Sequence, residues 1–407
     1  MGTYGHDLEY LAEKNVGFVE LVSADGQARV LLVPAFQGRV MTSTAGGLKG
    51  ASYGWINYKA IAEGFANPRF NPFGGEERFW IGPEGGPFSW YFKPGAEQVY
   101  ANWDVPAFID SEQFEVESSS ESEAVFTKEA VLKNASGVEF NIGVRRVVKL
   151  LERSEAEKVL GICIPDGVRP VAYSTANTIK NLGAKSWTKE TGMPSVWLLG
   201  MYPPTPSTVV FIPYNQEFEG KVVNDEYFGK VPADRLVEKD GFVYFKIDGK
   251  YRAKIGLPAG SAKDLCGSFD PKAGVLNILK YTVPQGDNDY VNSQWGPQEN
   301  HFGGDVINSY NDGPTETGVV MGPFYEIETS SPGAALDPGE SLTHTQFTFH
   351  LEGDIDSLVP VAREVFGADL DGIITSISRD RRKFEVEVDD HIDLEFDLKG
   401  NFLRYDD

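Results

Sequence analysis

Short strand-like runs, each broken within a few residues by Gly, Pro, Asn or Asp, fill most of this chain and leave little room for long helices. Residues 19–22, 28–34, 114–118, 124–132 and 140–150 read this way, with clusters such as SADGQ and KNASG between them. Side chains alternate across a strand, so runs of this kind bury one face each and stack as antiparallel sheets. The expectation is an all-β chain of large antiparallel sheets with few short helices. Helical spacing is confined to 8–14 and to 355–366, where Leu358, Val361, Ala362, Val365 and Phe366 share a face and Gly367 is a stop signal. After it, 373–377, 383–388 and 392–398 read as strands, and KGN at 399–401 turns the chain toward 402–405. The reading is a main unit over 1–367 and a small C-terminal β appendage over 368–407. The RDRRK run at 379–383 precedes Glu385, Glu387, Asp389 and Asp390, which predicts cross-strand charge pairing.

With 37 basic against 60 acidic residues the formal charge is −23, which repels phosphate backbones, so no nucleic-acid partner is expected. No apolar run nears the roughly 20 residues of a membrane span, so no insertion is expected and the chain reads as a soluble monomer. Cys163 and Cys266 show neither zinc spacing nor a disulfide framework. The start has no basic end or apolar core of a signal peptide. A cytoplasmic protein fits, and so does a periplasmic one whose signal has been removed.

Two long aromatic loops are the candidate binding elements. The first, NPFGGEERFWIGPEGGPFSWY at 71–91, holds Arg78, Trp80, Glu84 and Trp90 among paired glycines. Gly permits close approach, Trp offers a flat face to a sugar ring, and Arg and Glu supply directed hydrogen bonds. The alternative is that these aromatics close one end of the core. The second, QWGPQENHFGGDVINSYNDGP at 294–314, concentrates Trp295, His301, Asp305, Asn308 and Tyr310, types that suit polyol recognition, with His301 the best-placed imidazole for acid or base work. Asp305, Asn308, Asp312, Glu326 and Glu328 are hard oxygen donors, but they lack the order of a calcium loop. No cofactor is expected, calcium being the one cation this set would suit. No GxSxG elbow is present.

The segment 325–350, YEIETSSPGAALDPGESLTHTQFTFH, is a strand, a turn and a strand, and it places Glu326 and Glu328 two apart on one strand face, roughly 6.5 Å between α-carbons. IETSSPGAALDPGESLTHTQFTF resembles the C-terminal motif of the galactose mutarotase-like superfamily, the aldose 1-epimerases and their relatives. GRVMTST at 38–44 and GGEERFWIGPEGG at 74–86 resemble earlier motifs of that superfamily in the same order. The resemblance covers about 1–367 and points to an uncharacterised bacterial branch. It implies a β-supersandwich with a sugar or oligosaccharide in a cleft on a concave face, and Glu328 as general base on the anomeric hydroxyl. The branch departs from the pattern at its acids. Asn177, in TANTIKNLG, stands where the family has a His, and Gly74 and Gly75 directly follow Phe73, without the His of an HGG loop. An amide cannot deliver a proton at neutral pH, which leaves His301, Lys180 or Glu84 to act as acid. Glu326 would raise the pKa of Glu328 by like-charge repulsion or clamp Arg78, and Trp80 or Trp295 would hold the sugar ring. A non-catalytic glycan-binding protein and a glycan lyase or hydrolase are the competing readings.

Overall fold

The computed structural model describes residues 2–286, 289–315 and 317–367, together with the backbone of 383–387, 393–397 and 402–406. Strands dominate, as the punctuated runs require. Ten of them form one antiparallel sheet, whose centre is Val275–Tyr281, Ser341–Glu352, Arg169–Asn181 and Glu139–Leu151. Five more, in the order Ala253–Pro258, Asp305–Asn311, Tyr325–Ser330, Ser195–Tyr202 and Arg78–Gly82, form a smaller sheet. A three-stranded sheet of Val19–Val22, Arg29–Val33 and Arg39–Thr44 flanks the N-terminal side.

Burial patterns show how the two large sheets lie. Along Arg169–Asn181 the odd positions from Tyr173 to Asn181 are buried and the even ones are not, so only one face of the larger sheet is covered there. Every residue of Ser195–Tyr202 and Arg78–Gly82 is buried, as expected of strands covered on both faces. One face of the smaller sheet packs on the larger, and loops cover the other.

The layer between the sheets is apolar at its ends and polar at its middle. Arg146, fully buried, donates from Nη2 to Glu77 Oε1 at 2.7 Å and from Nη1 to Asn177 Oδ1 at 2.6 Å. Gln346 Nε2 donates to Glu77 Oε2 at 2.8 Å, and Thr329 Oγ1 donates to Gln346 Oε1 at 2.8 Å, which ties the smaller sheet to the larger. The guanidinium and carboxylate are tolerated there because nearly every lone pair and proton finds a partner. His350 belongs to the same layer, its ring nitrogens 2.6 Å from Glu76 Oε1 and from Asn277 Oδ1. His344 lies there too, as a sheet residue.

Helices are short. Tyr4–Glu13 starts four residues before the expected 8–14, because Thr3 caps it by accepting from His6 N. Ile355–Phe366 has the expected limits, with the Asp354 side chain accepting from Ser357 N and Gly367 in the left-handed region at φ 69°. Arg153–Leu160 escaped the periodicity test because its single buried residue, Ala156, makes no stripe; a Glu152/Glu155 capping box starts it. In the C-terminal segment the strands are Lys383–Glu387, Asp393–Asp397 and Phe402–Asp406, paired in sequence order. The strand expected at 373–377 and the side-chain pairing expected from RDRRK lie outside the described residues.

Candidate functional site

Strand register places the site. Glu328 lies opposite Leu199 on one neighbour and Asn308 on the other, while Arg78 lies opposite Leu199 from the far side. One rung along, Glu326 is flanked by Met201 and Tyr310, with Lys254 beyond Tyr310. Residues opposite one another share a face, so Arg78, Glu326, Glu328, Asn308, Tyr310 and Lys254 all point away from the sandwich interior. Thr329 and Tyr325, of opposite parity, point into it.

Glu328 is the most enclosed member, 1% exposed. Its Oε2 accepts from Lys254 Nζ at 2.8 Å and from Trp197 Nε1 at 2.9 Å, while its buried Oε1 has no partner. The ammonium is held in place, 5.2 Å from the Trp197 ring centroid and 5.5 Å from that of Tyr227. Carboxylate neighbours outweigh its burial and hold the Lys254 pKa above the ordinary lysine range. Arg78 Nη2 donates to Glu326 Oε1 at 3.3 Å, its guanidinium carbon lies 4.0 Å from the Trp80 ring centroid, and its Nε and Nη1 are buried without partners. Burial pushes the Glu326 carboxyl up to about 7; Arg78 opposes this and Glu328 adds to it. Like-charge repulsion, expected to act on Glu328, here adds to the burial that raises Glu326.

The loops close the face from two sides. Glu84 Oε1 accepts from Trp103 Nε1 at 2.9 Å, and Trp103 stacks near Tyr91 and Trp295 at 6.1 and 6.4 Å. Burial raises the Glu84 pKa, opposed by Lys254, which brings this carboxyl within the field of the Glu328 pair. On the other side Tyr227 donates to Asp305, and Asn308 Nδ2 donates to the Tyr227 hydroxyl at 3.1 Å.

Expected residues therefore fall into three groups. Glu326, Glu328, Arg78, Asn308 and Tyr310 share the face, and Trp80, Glu84, Trp295 and Asp305 border it. Two others do not. Asn177 is fully buried between the sheets as the acceptor for Arg146, so it faces neither Glu328 nor solvent. Lys180, three positions along the same strand, has the opposite parity and is exposed on the outer face of the larger sheet. Neither is available as an acid at the carboxylates. His301 contacts Gln298, Phe88 and Phe302, none of them on the carboxylate face.

The Trp80 ring is not an open platform, since Arg78 covers one face and Phe70, Tyr91, Trp103 and Trp197 surround it. The paired glycines also serve the protein itself. A Cβ on Gly74 would lie 2.2 Å from Trp55 O, and one on Gly75 would lie 2.5 Å from Arg39 Cδ. The donors considered for calcium are spent on Tyr227, Tyr310, Arg78 and Lys254, and among the described residues no group of three His, Cys, Asp or Glu is placed to hold a metal ion.

Lys254, Trp197, Trp103 and Tyr227 are the site members that sequence reasoning missed. Lys254 carried the one usable signal, a cation inside the strand-like run AKIGLP.

Among curated proteins none matches the chain. Solved structures do. The Slr1438 protein from Synechocystis sp. PCC 6803 is 13% identical, with 83% of this chain and 96% of that one covered at a TM-score of 0.50. A galactose mutarotase-like protein from Lactobacillus casei ATCC 334 is 11% identical, covering 83% and 99% at 0.44. A galactose mutarotase related enzyme from Lactobacillus acidophilus is 8% identical, covering 84% and 99% at 0.45. At such identities the likeness concerns the fold alone, one of large antiparallel sheets. No described helix is long and apolar enough to cross a membrane. The family of unknown function DUF6786 matches over residues 2–377, nearly the whole length, and the chain belongs to that family.

Proposed function

We propose that this protein binds a sugar over the Arg78, Glu326 and Glu328 face and moves a proton at it, in the manner of an aldose 1-epimerase. The observation that carries the reading is the set of unspent polar atoms sharing this face: Glu328 Oε1, Arg78 Nε and Nη1, and Trp80 Nε1, all buried and unpaired. A buried donor or acceptor without a partner costs on the order of 1–3 kcal/mol. An acceptor and three donors left in this state beside one another suit a polyol, whose hydroxyls both give and take hydrogen bonds.

The roles follow from the surroundings. Lys254 and Trp197 both donate to Oε2 of Glu328 and orient the carboxylate so that Oε1 is the oxygen able to take the anomeric hydroxyl proton. Glu326, whose carboxyl burial pushes up to about 7, supplies the proton to the ring oxygen. Ring opening then leaves Glu328 protonated and Glu326 ionised, and closure on the other face of the carbonyl returns both protons. Two structural relatives bear mutarotase names, which supports a sugar as the ligand.

The second reading is a glycan-binding protein without catalysis. It is favoured by Arg78, which engages the only carboxyl assigned as acid. NMR exchange spectroscopy over a panel of aldoses separates the two. Faster anomer exchange lost in Glu328→Gln supports the epimerase; sugar-induced tryptophan fluorescence changes without faster exchange support the binding protein. No response from any sugar rejects both.

A further inference from the structure

The loops that border the carboxylate face also enclose a second space. Two residues beyond Glu84 and one beyond Trp295, they line an open cavity of about 620 Å³ whose walls include Gly86, Pro87, Gln98, Pro297, Gln298 and His301. That volume lies within the roughly 300–1,000 Å³ usual for ligand sites. The walls are held together. Gln98 Oε1 accepts from the backbone N–H groups of Gly86 and Gly296, each at 2.8 Å, and its Nε2 donates to Gly86 O at 2.7 Å. Gln298 Nε2 donates to Asn292 O at 2.9 Å and Gln294 O at 2.6 Å. The two loops meet this closely because a Cβ at Gly85 would fall 2.3 Å from Gln294 O, and one at Gly86 would fall 2.4 Å from Gln298 Oε1.

The lining chemistry selects the occupant. Apart from His301, the one ionisable lining side chain is Glu97, and no cation is present to receive a phosphate or carboxylate. The formal charge of −23 opposes anions further. His301 Nδ1 lies 3.2 Å from Gln298 Oε1, a carbonyl that only accepts, so the neutral ring carries its proton on Nδ1 and leaves the Nε2 lone pair for a hydroxyl. Pro87 and Pro297 add flat apolar surface. Glu84, at the border of the carboxylate face, and Gly86, in the cavity wall, are two residues apart and so within about 7 Å of each other along the chain.

Resting on the sugar reading above, the geometry points to this cavity as an outer subsite: the substrate is an oligosaccharide whose terminal unit lies on the Glu328 face and whose next unit is received by His301 and the two prolines. His301 is thereby a binding residue and not the acid.

Isothermal titration of the full chain with glucose, maltose, maltotriose, cellobiose and cellotriose tests this. In one of the two linkage series the disaccharide should bind at least tenfold more tightly than glucose. Ala96→Trp, which fills the cavity from a lining position, should remove that gain while leaving glucose affinity within twofold, and His301→Ala should reduce the gain. Glucose binding that Glu328→Gln abolishes, with no gain from added units, overturns the subsite and leaves the sugar reading standing. A gain that survives both cavity variants also overturns it. Absence of binding by every saccharide overturns the subsite and the sugar reading together.

Discussion

Replacing Lys254 by methionine removes the ammonium from a carboxylate that is 1% exposed, while keeping most of the side-chain volume against Trp197 and Tyr227. Trp197 Nε1 remains as a donor at 2.9 Å, but it is neutral. Breaking a buried ion pair from one side costs about 3–5 kcal/mol, because the surviving charge is left uncompensated. With about 2.1 cal/mol/K of unfolding entropy per residue, 407 residues give roughly 0.85 kcal/mol/K, so a loss of 3 kcal/mol lowers Tm by about 3–4 °C. The loss has a pH signature. A proton can stand in for the missing cation, so the uncompensated charge, and the deficit with it, shrinks as pH falls. Thermal unfolding of Lys254→Met against wild type at pH 8 and pH 5.5 should show the deficit shrinking at the lower pH, and Lys254→Met combined with Glu328→Gln should regain most of the stability at pH 8. A deficit under 1 kcal/mol, or one equal at both pH values, refutes the claim that Lys254 is there to neutralise Glu328.

Other expectations follow from the same geometry. Anomer exchange, once a responsive aldose is found, should change with pH through the Glu326 pKa of about 7, and Glu326→Gln should lower the rate by 10²–10⁴ and abolish that dependence, read by exchange spectroscopy. Because the folded pKa of Glu326 is raised from 4.5, its contribution to stability is full below about pH 4.5 and is lost as pH rises through about 7; Glu326→Gln should flatten that part of the urea-denaturation profile. Asn177→Leu should cost about 1–3 kcal/mol by leaving Arg146 Nη1 without an acceptor, yet leave sugar affinity unchanged, since the residue lies between the sheets. A thiol reagent should modify one cysteine in the native chain and two in urea, because Cys163 is exposed while Cys266 is buried and its thiol pKa is pushed up by desolvation.

The carboxylate pair was legible because a strand has period two. Glu326 and Glu328 had to share a face, whatever lay opposite. Parity also settles that Asn177 and Lys180 point opposite ways, but it does not say which face of a strand meets the other sheet. That ambiguity is why Asn177 read as a site residue and proved to be part of the Arg146 network. The aromatic loops were visible as candidate binding elements, yet their composition does not distinguish Trp90, whose Nε1 is spent on Gly82 O, from Trp80, whose buried Nε1 has no partner.

Local pattern alone determined the strand-rich architecture, the closing helix at Ile355–Phe366 and the shared face of the two glutamates, since each depends on residues within a few positions of one another. Tertiary structure decided what those glutamates touch. Lys254 and Trp197 meet Glu328 across 74 and 131 residues of chain, and Arg78 meets Glu326 across 248. Protonation in a buried site is set by the charges and donors packed around it, and only strand order and register bring those together.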